Sequence, residues 1–146
     1  MIKVLIIDDE RPIRETLEMF LREKGYEVAT SEDGKEGLEA VQRVRPEIVI
    51  LDIRLPGMDG LEVLRRIKEK GEETQVIMIT AYHDTETTRQ AMKLGAYEYI
   101  RKPLDADEFE NLTIRKIPKS ILSKYEWDKE DYSLKPGKLI KGNARL

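Results

Sequence analysis

The sequence has no cysteine, a single histidine and no long apolar run among its 146 residues. Without cysteine, neither a disulfide framework nor a cysteine-ligated zinc or iron–sulfur site can form, and a reducing, cytoplasmic compartment is expected. One histidine argues against histidine-rich metal sites and serine–histidine hydrolysis. A membrane span needs roughly 20 consecutive apolar residues, and the N-terminal segment reaches acidic residues too early for a signal peptide. We therefore expect no membrane association.

The charge balance argues against a second class of partner. The net charge is -3 and the pI is about 5.4, whereas binding to a nucleic-acid backbone depends on clustered lysine and arginine. The charge is also distributed unevenly. Residues 110–146 contain nine basic and five acidic residues, and residues 1–109 contain 17 basic and 24 acidic ones. We expect no direct nucleic-acid binding and two parts of different composition.

Short apolar runs alternate with amphipathic segments through most of the chain. Apolar residues three or four positions apart indicate helices, and short continuous apolar runs indicate strands that are buried on both faces. The pattern predicts five strands, at residues 2–7, 26–30, 48–51, 76–79 and 97–101. It predicts five helices, at 12–24, around 38–44, around 61–67, at 85–94 and from 105 onward. Strands that alternate with helices pair in parallel through right-handed crossovers, so we expect an α/β sandwich with a buried sheet.

The C-terminal part has a different character. Pro118 is expected to end the fifth helix, because proline lacks the backbone N–H that a helix needs. Beyond it the chain has lysines, a further proline and two glycines, with only scattered apolar residues, a composition typical of linkers. We predict one domain over residues 1–117 and a linker or tail over residues 118–146, with one helical turn near 121–125.

Polar side chains follow four of the five predicted strands. In an open parallel sheet, ligands bind outside the carboxyl ends of the strands, near the point where the strand order reverses. At these ends the sequence has Asp8, Asp9, Glu10, Asp52, Thr80 and Lys102. Each has an ordinary explanation when taken alone: an acid can cap the next helix, threonine favours strands, and a lysine can be solvated. Their joint occurrence predicts one polar site.

The acidic residues of this site predict a metal ion. Clustered carboxylates repel one another unless a cation neutralises them, so Asp8, Asp9 and Asp52 together call for a divalent metal. Ligands that are all oxygen select a hard ion, and Mg²⁺ fits best. For Glu10 we favour the capping of the first helix over metal ligation.

Such a site is suited to phosphoryl transfer. A carboxylate can act as the nucleophile and form an aspartyl phosphate, while Mg²⁺ and an ammonium neutralise the phosphoryl oxygens. Asp52 is the candidate nucleophile, because it follows the central strand and leads into a loop. Lys102 would supply the counter-charge and Thr80 a hydrogen bond. Movement of Thr80 would vacate space for Tyr99 on the adjacent strand, although Tyr99 also fits as an ordinary edge-strand aromatic.

Four separated motifs carry a family resemblance. They are LIIDDE at 5–10, VILDIRLPGMDGLEVL at 49–64, VIMITAY at 76–82 and GAYEYIRKPLDADEF at 95–109. With these motifs in this order, residues 1 to about 116 resemble the receiver domain of bacterial two-component response regulators. The resemblance implies a flavodoxin-like (βα)5 three-layer sandwich with the strand order 2-1-3-4-5.

The resemblance also implies roles for individual residues. Asp52 would accept phosphate from a phosphohistidine of a sensor histidine kinase, without the protein being an enzyme in the usual sense. Mg²⁺ would be held by Asp9, Asp52 and the backbone carbonyl of Arg54, with Asp8 assisting. Thr80 and Tyr99 would be the switch residues, and Lys102 would pair with the phosphate and precede a cis peptide bond to Pro103. The face made by the fourth helix, fifth strand and fifth helix would bind a partner or a second copy of the chain.

Three functions stay open at this point. The segment KLIKGNARL at 138–146 resembles the lead into the ATPase domain of σ54-class enhancer-binding activators, which favours a switch that controls an attached transcriptional output. A stand-alone receiver that signals by docking is the second function. The third is a phosphatase with an aspartyl-phosphate intermediate; such enzymes pair the nucleophile with an aspartate two positions on, and here Arg54 takes that place.

Overall fold

The computed structural model describes residues 2–70, 73–81 and 84–102, together with the backbone of residues 125–127 and 134–139. The strands are β1 (Lys3–Ile7), β2 (Glu27–Ser31), β3 (Ile48–Leu51), β4 (Gln75–Thr80), β5 (Glu98–Arg101), β6 (Tyr125–Trp127) and β7 (Leu134–Leu139). The helices within the described residues are α1 (Arg11–Glu23), α2 (Gly34–Val44), α3 (Gly60–Glu69) and α4 (Thr85–Lys93). The predicted fifth helix lies outside the described residues.

The first five strands form one parallel sheet in the order β2-β1-β3-β4-β5, which confirms the predicted flavodoxin-like topology. The central strands are apolar along their whole length, and alternate residues point to opposite faces of the sheet. Val4 and Ile6 join one core cluster with Leu17 and Leu21 of α1. The other face of the sheet packs against apolar residues of α2, α3 and α4. Because these strands are buried on both faces, their sequences are continuous apolar runs.

The register of the sheet brings the strand ends to one level. Ile7 at the end of β1 pairs with Ser31 of β2 and with Leu51 of β3. Leu51 in turn pairs with Met78 of β4. Thr80, the last residue of β4, pairs with Arg101 of β5. The residues that follow β1, β3 and β5 therefore leave the sheet at the same edge.

The C-terminal part contains regular structure that the composition did not predict. β6 and β7 pair antiparallel, with Tyr125 opposite Leu139 and Trp127 opposite Leu134. Tyr125 was predicted at the end of a helical turn and lies in a strand instead; the rest of that turn is outside the described residues. Tyrosine and tryptophan favour strands, and in a two-stranded sheet every strand is an edge, where the proline of β7 is tolerated.

None of the helices that the structure describes combines the length and the apolar character that crossing a membrane would require.

Candidate functional site

The backbone at the carboxyl edge of the sheet places the acidic residues side by side. The Asp52 N–H donates to the Ile7 carbonyl at 2.9 Å, so the residues after β1 and β3 are adjacent. The Asp8 N–H donates to the Ser31 carbonyl at 3.1 Å, and the Lys102 N–H to the Thr80 carbonyl at 2.7 Å. Strand pairing thus continues one residue past each strand, and it orients the side chains that follow.

The Lys102 ammonium is the centre of the site. Its Nζ donates to Asp8 Oδ2 at 2.8 Å, to Glu10 Oε1 at 3.0 Å and to Asp52 Oδ2 at 3.1 Å. Asp8, Asp52 and Lys102 are all buried. The structure therefore brings together a lysine and two acids that lie 94 and 50 positions away in the sequence.

The remaining oxygens of the two buried acids are held by the backbone. Asp8 Oδ1 accepts from the Glu10 N–H at 2.8 Å, and Asp52 Oδ1 accepts from the Arg54 N–H at 3.1 Å. Both contacts join a carboxylate to the N–H two residues further on, which is a turn that aspartate commonly makes. These contacts fix the orientation of each carboxylate.

The pKa values of Lys102 and Asp8 are set by their burial and by the charges around them. Burial alone would lower the pKa of the Lys102 ammonium, but the hydrogen bond to Asp8 and the charges of Asp52 and Asp8 outweigh it and hold that pKa above its usual range. Burial raises the pKa of the Asp8 carboxyl, and the hydrogen bond from Lys102 offsets this only in part. The ammonium therefore stays charged at neutral pH and neutralises part of the acidic cluster.

The donor set of this site fits a hard divalent cation. Asp8, Asp9, Glu10 and Asp52 each offer a carboxylate oxygen, and these oxygens lie within 4.8 Å of one another. Asp9 is exposed and reaches the same pocket as Asp52. The pocket has a volume of about 380 Å³ and is lined by Asp9, Glu10, Asp52, Arg54, Thr80 and Ala81. Oxygen ligands around a solvent-accessible pocket suit Mg²⁺, which retains several of its waters.

Thr80 and Tyr99 lie on the two strands beside this pocket. Thr80 is fully buried at the end of β4 and lines the pocket with Asp52. Tyr99 is half-buried on β5 and packs against the core cluster beneath α3 and α4. Burial raises the pKa of the Tyr99 hydroxyl, and its hydrogen bond with the Thr88 side chain of α4 opposes that shift. Tyr99 thus links β5 to α4 and does not line the acidic pocket.

Glu10 differs from the expectation drawn from the sequence. It occupies the N-cap position of α1, but its side chain makes no capping hydrogen bond and instead accepts from Lys102. The prediction that Glu10 caps the first helix was therefore wrong for its side chain. The reason is that the nearby ammonium is a stronger partner than a neutral backbone N–H.

Two further residues shape the site without having been predicted. A Cβ at Gly60 would lie 2.2 Å from the Asp52 carbonyl oxygen, so only glycine fits there. The Gly60 N–H donates to the Ile53 carbonyl at 2.7 Å and ties the start of α3 to the loop after Asp52. Arg14 of α1 donates to the Asp8 carbonyl at 2.8 Å. The glycine at the first position of α3 is the one sequence signal that could have indicated the close approach of the helix to Asp52.

The predicted cis bond involves Pro103, which lies outside the described residues.

A parallel sheet of this order, with helices on both faces and an acidic pocket with a buried lysine at its carboxyl edge, defines a CheY-like α/β protein. Residues 4–113 match the model of the response regulator receiver domain. The chain belongs to this family, and it is a receiver domain of two-component signalling.

Similar proteins include relatives matched over nearly their whole length and a longer one matched over part of it. Sporulation initiation phosphotransferase F of Bacillus subtilis is 36% identical over 116 residues, which cover 80% of this chain and 94% of that protein. Transcriptional regulatory protein DltR of Streptococcus agalactiae is 42% identical over 106 residues, which cover 73% of this chain but 47% of that protein. The structure of the Vibrio cholerae chemotaxis protein CheY4 has a TM-score of 0.74 at 29% identity and covers 80% of this chain and 99% of that one.

Proposed function

We propose that the protein is a phosphorylation-dependent switch, in which Asp52 accepts a phosphoryl group from a sensor histidine kinase. The observation that carries this proposal is the contact of the Lys102 ammonium with Asp8 and Asp52 in one buried cluster. A surface lysine would need no such partners, and buried charges are costly unless they are paired. An acid that is buried, held by an ammonium and open to a pocket on one side is equipped to receive an anionic group.

The proposed reaction is a transfer of one phosphoryl group to a carboxylate. An Asp52 oxygen forms a bond to phosphorus as the bond from phosphorus to the donor's leaving group breaks, and the leaving group keeps that electron pair. Asp9, Asp52 and the backbone carbonyl of Arg54 would hold Mg²⁺, with Asp8 assisting. When bound, the ion would neutralise charge on the phosphoryl oxygens. Lys102 would donate to one of those oxygens.

The switch would work through Thr80 and Tyr99. A phosphoryl group on Asp52 adds negative charge and strong acceptor oxygens, which attract the Thr80 hydroxyl in the same pocket. A shift of Thr80 would open space at the end of β4 next to β5. Tyr99 would then leave its contact with Thr88 of α4 and turn inward. This change would alter the face formed by α4, β5 and the segment after β5, where an output partner or a second copy would bind.

The output is proposed to be transcription, through a domain attached after a linker at residues 118–146. A relative named as a transcriptional regulatory protein is about twice as long as the segment it shares with this chain, which supports this proposal. The resemblance of residues 138–146 to the lead into a σ54-class ATPase domain stays a prediction, as do the domain boundary at 117 and the cytoplasmic location. A stand-alone receiver that signals by docking is the alternative, and the short relatives favour it.

A phosphatase function has less support. Arg54 is exposed and stands two residues after Asp52, where an acid–base carboxylate would be needed. An arginine stays protonated at neutral pH and cannot abstract a proton from water. We therefore propose a phosphoacceptor that catalyses only its own phosphorylation and dephosphorylation.

The proposal is tested with acetyl phosphate as donor and Mg²⁺ in the buffer. Intact-protein mass spectrometry should show the addition of one phosphoryl group, because the acetyl phosphate donor carries an activated phosphoryl group that Asp52 can accept. The variant Asp52→Asn should show none, and a chelator that removes Mg²⁺ should reduce the labelling of the wild-type protein by at least about a hundredfold.

Asp59→Asn provides the matched control. Asp59 is an exposed acid that caps α3 through the Glu62 N–H, and asparagine preserves such a cap. This variant should be labelled like the wild-type protein. Labelling of Asp52→Asn at the wild-type level would contradict the assignment of the acceptor, and labelling that persists in the chelator would contradict the metal site.

A further inference from the structure

Glu10 makes a contact that neither helix capping nor metal binding requires. Its Oε1 lies 3.0 Å from Lys102 Nζ, although the two residues are 92 positions apart. The residue lies at the start of α1, where a shorter side chain would serve as a better cap. Its carboxylate instead lines the pocket with Asp52. Glu10 therefore contributes charge at the entrance of the phosphate-accepting site.

The three partners of Lys102 differ in their access to water. The side chains of Asp8 and Asp52 are 1% and 4% exposed, whereas that of Glu10 is 56% exposed. Water can replace the ammonium at an exposed carboxylate at little cost, but a buried carboxylate that loses its cation is left unpaired. The contact with Glu10 is thus the one that Lys102 can exchange most easily.

Phosphorylation favours such an exchange. An ammonium has three N–H donors, and here each of them points to a different carboxylate. A phosphoryl group on Asp52 brings three additional acceptor oxygens and more negative charge to the same pocket. One of its three contacts, that with Asp52, can pass to the new group, and Lys102 can donate a second N–H to it by releasing the exposed Glu10. The exposed Glu10 also repels the anionic donor on its way into the pocket.

We propose that Glu10 is a positioning residue, which holds Lys102 in the resting site and competes with the phosphoryl group for that ammonium. This inference rests on the proposed function of Asp52 as acceptor. Glu10 thereby sets the threshold of donor concentration at which the switch is phosphorylated. Its removal should make phosphorylation easier, which is the opposite of what the loss of a metal ligand would do.

The test compares the full chain with its Glu10→Gln variant at saturating Mg²⁺. The acetyl phosphate concentration that gives half-maximal labelling rate should fall about two- to fivefold, the range expected for the loss of an exposed ion pair. The labelling rate at saturating donor should change less. At that concentration the phosphoryl group of the donor outcompetes Glu10 for the Lys102 ammonium in both proteins. The difference between the two proteins should shrink at high ionic strength, where the exposed charge is screened.

A second measurement does not depend on turnover. Beryllium fluoride resembles a phosphoryl group on a carboxylate, and its affinity can be measured by titration calorimetry. Glu10→Gln should bind it more tightly, by about the same two- to fivefold factor. Glu10→Asp keeps the charge and should lie closer to the wild-type protein than Glu10→Gln does in both measurements.

Glu15→Gln is the matched control. Glu15 is 60% exposed on the same helix, but it pairs with Arg11 at 2.7 Å and not with Lys102. Its variant should leave both quantities unchanged. The role of Glu10 is refuted if Glu10→Gln shows the same half-maximal donor concentration and the same affinity for beryllium fluoride as Glu15→Gln. It is also refuted if Glu10→Gln binds the donor and beryllium fluoride more weakly than the wild-type protein. A wild-type protein that is not labelled at all contradicts the function of Asp52 instead, so the two failures are distinguishable.

Discussion

The Lys102 ammonium and the two buried acids beside it illustrate how single residues depend on one another in this fold. The pKa of Lys102 is raised, so its ion pairs contribute stability that is fully present below pH 10.5, the ordinary value for lysine. That contribution is lost as the pH rises through the higher pKa of the folded state. Burial by itself raises the pKa of Asp8 and makes the charged form of this carboxylate unfavourable in the folded state. Lys102 offsets part of this penalty at neutral pH.

Tyr26 offers a prediction at the same scale. Its hydroxyl is buried and has no hydrogen-bond partner in the described part of the chain. A buried donor without a partner costs about 1–3 kcal/mol, so Tyr26→Phe should raise the free energy of unfolding by about 1 kcal/mol at neutral pH. Urea unfolding would measure this change, with Tyr97→Phe as the control on an exposed tyrosine.

The same variant should also flatten the alkaline loss of stability. Burial raises the pKa of Tyr26 above its ordinary value of 10.0, so ionisation of this hydroxyl favours the unfolded state. The free energy of unfolding is unaffected by this group below pH 10.0 and falls as the pH rises toward the folded-state pKa. Wild-type protein should therefore lose more stability than Tyr26→Phe above that pH. Lys102 titrates in both proteins and cancels in the comparison. A variant less stable than the wild-type protein at neutral pH would show that the hydroxyl has a favourable partner.

At the scale of elements, the position of α3 decides the geometry of Asp52. The helix begins at Gly60, directly against the backbone of Asp52 and Ile53. Asp59 caps the helix, since its side chain accepts from the Glu62 N–H at 3.0 Å. The loop between Asp52 and Gly60 and the helix α3 are therefore packed as one unit, and the loop cannot move without the helix.

Gly60→Ala tests this dependence. The new Cβ would meet the backbone of Asp52, which cannot turn away as a flexible side chain could, so the free energy of unfolding should fall by about 3 kcal/mol. The rate of labelling should drop at least about tenfold, because the acceptor carboxylate is displaced. Chemical denaturation and mass spectrometry measure the two effects.

Gly57→Ala is the comparison for this prediction. Gly57 has a φ of 80°, but a Cβ there would meet nothing within 4 Å. Alanine in this conformation should cost about 1 kcal/mol and leave labelling close to normal. Equal effects of the two substitutions on labelling would mean that the contact of α3 with Asp52 is unimportant for the site.

For the whole molecule, the proposed homodimer provides the relevant prediction. Met92 in the last turn of α4 and Tyr97 just before β5 are 45% and 43% exposed, although large apolar side chains gain from burial. If phosphorylation rearranges this face, sedimentation velocity should show dimers of the labelled protein. Met92→Glu should weaken dimerisation by about tenfold or more without reducing the labelling.

Met19→Glu is the control, because Met19 is 62% exposed but lies on α1, away from this face. It should leave the dimer intact. A labelled wild-type protein that remains monomeric at all concentrations would contradict the dimer and favour the docking alternative.

Much of this architecture was predictable from local patterns. Continuous apolar runs indicated buried parallel strands, and the rule that ligands lie at the carboxyl ends of such strands pointed to Asp8, Asp52, Thr80 and Lys102, which the structure brings to one edge. The side-chain partner of Glu10 was not predictable, because the capping pattern is local and the ammonium comes from the other end of the domain. The strands β6 and β7 were missed because composition alone resembled that of a linker.

The sequence by itself determined the order of the first five strands and of α1 to α4, since apolar periodicity depends only on neighbouring residues. It also indicated the chemical character of the site, because several oxygen ligands and a lysine follow the strand ends. Only the tertiary structure decided which acids the Lys102 ammonium contacts and how closely α3 approaches Asp52. These depend on distances between residues far apart in the chain, which the register of the sheet sets and no local pattern encodes.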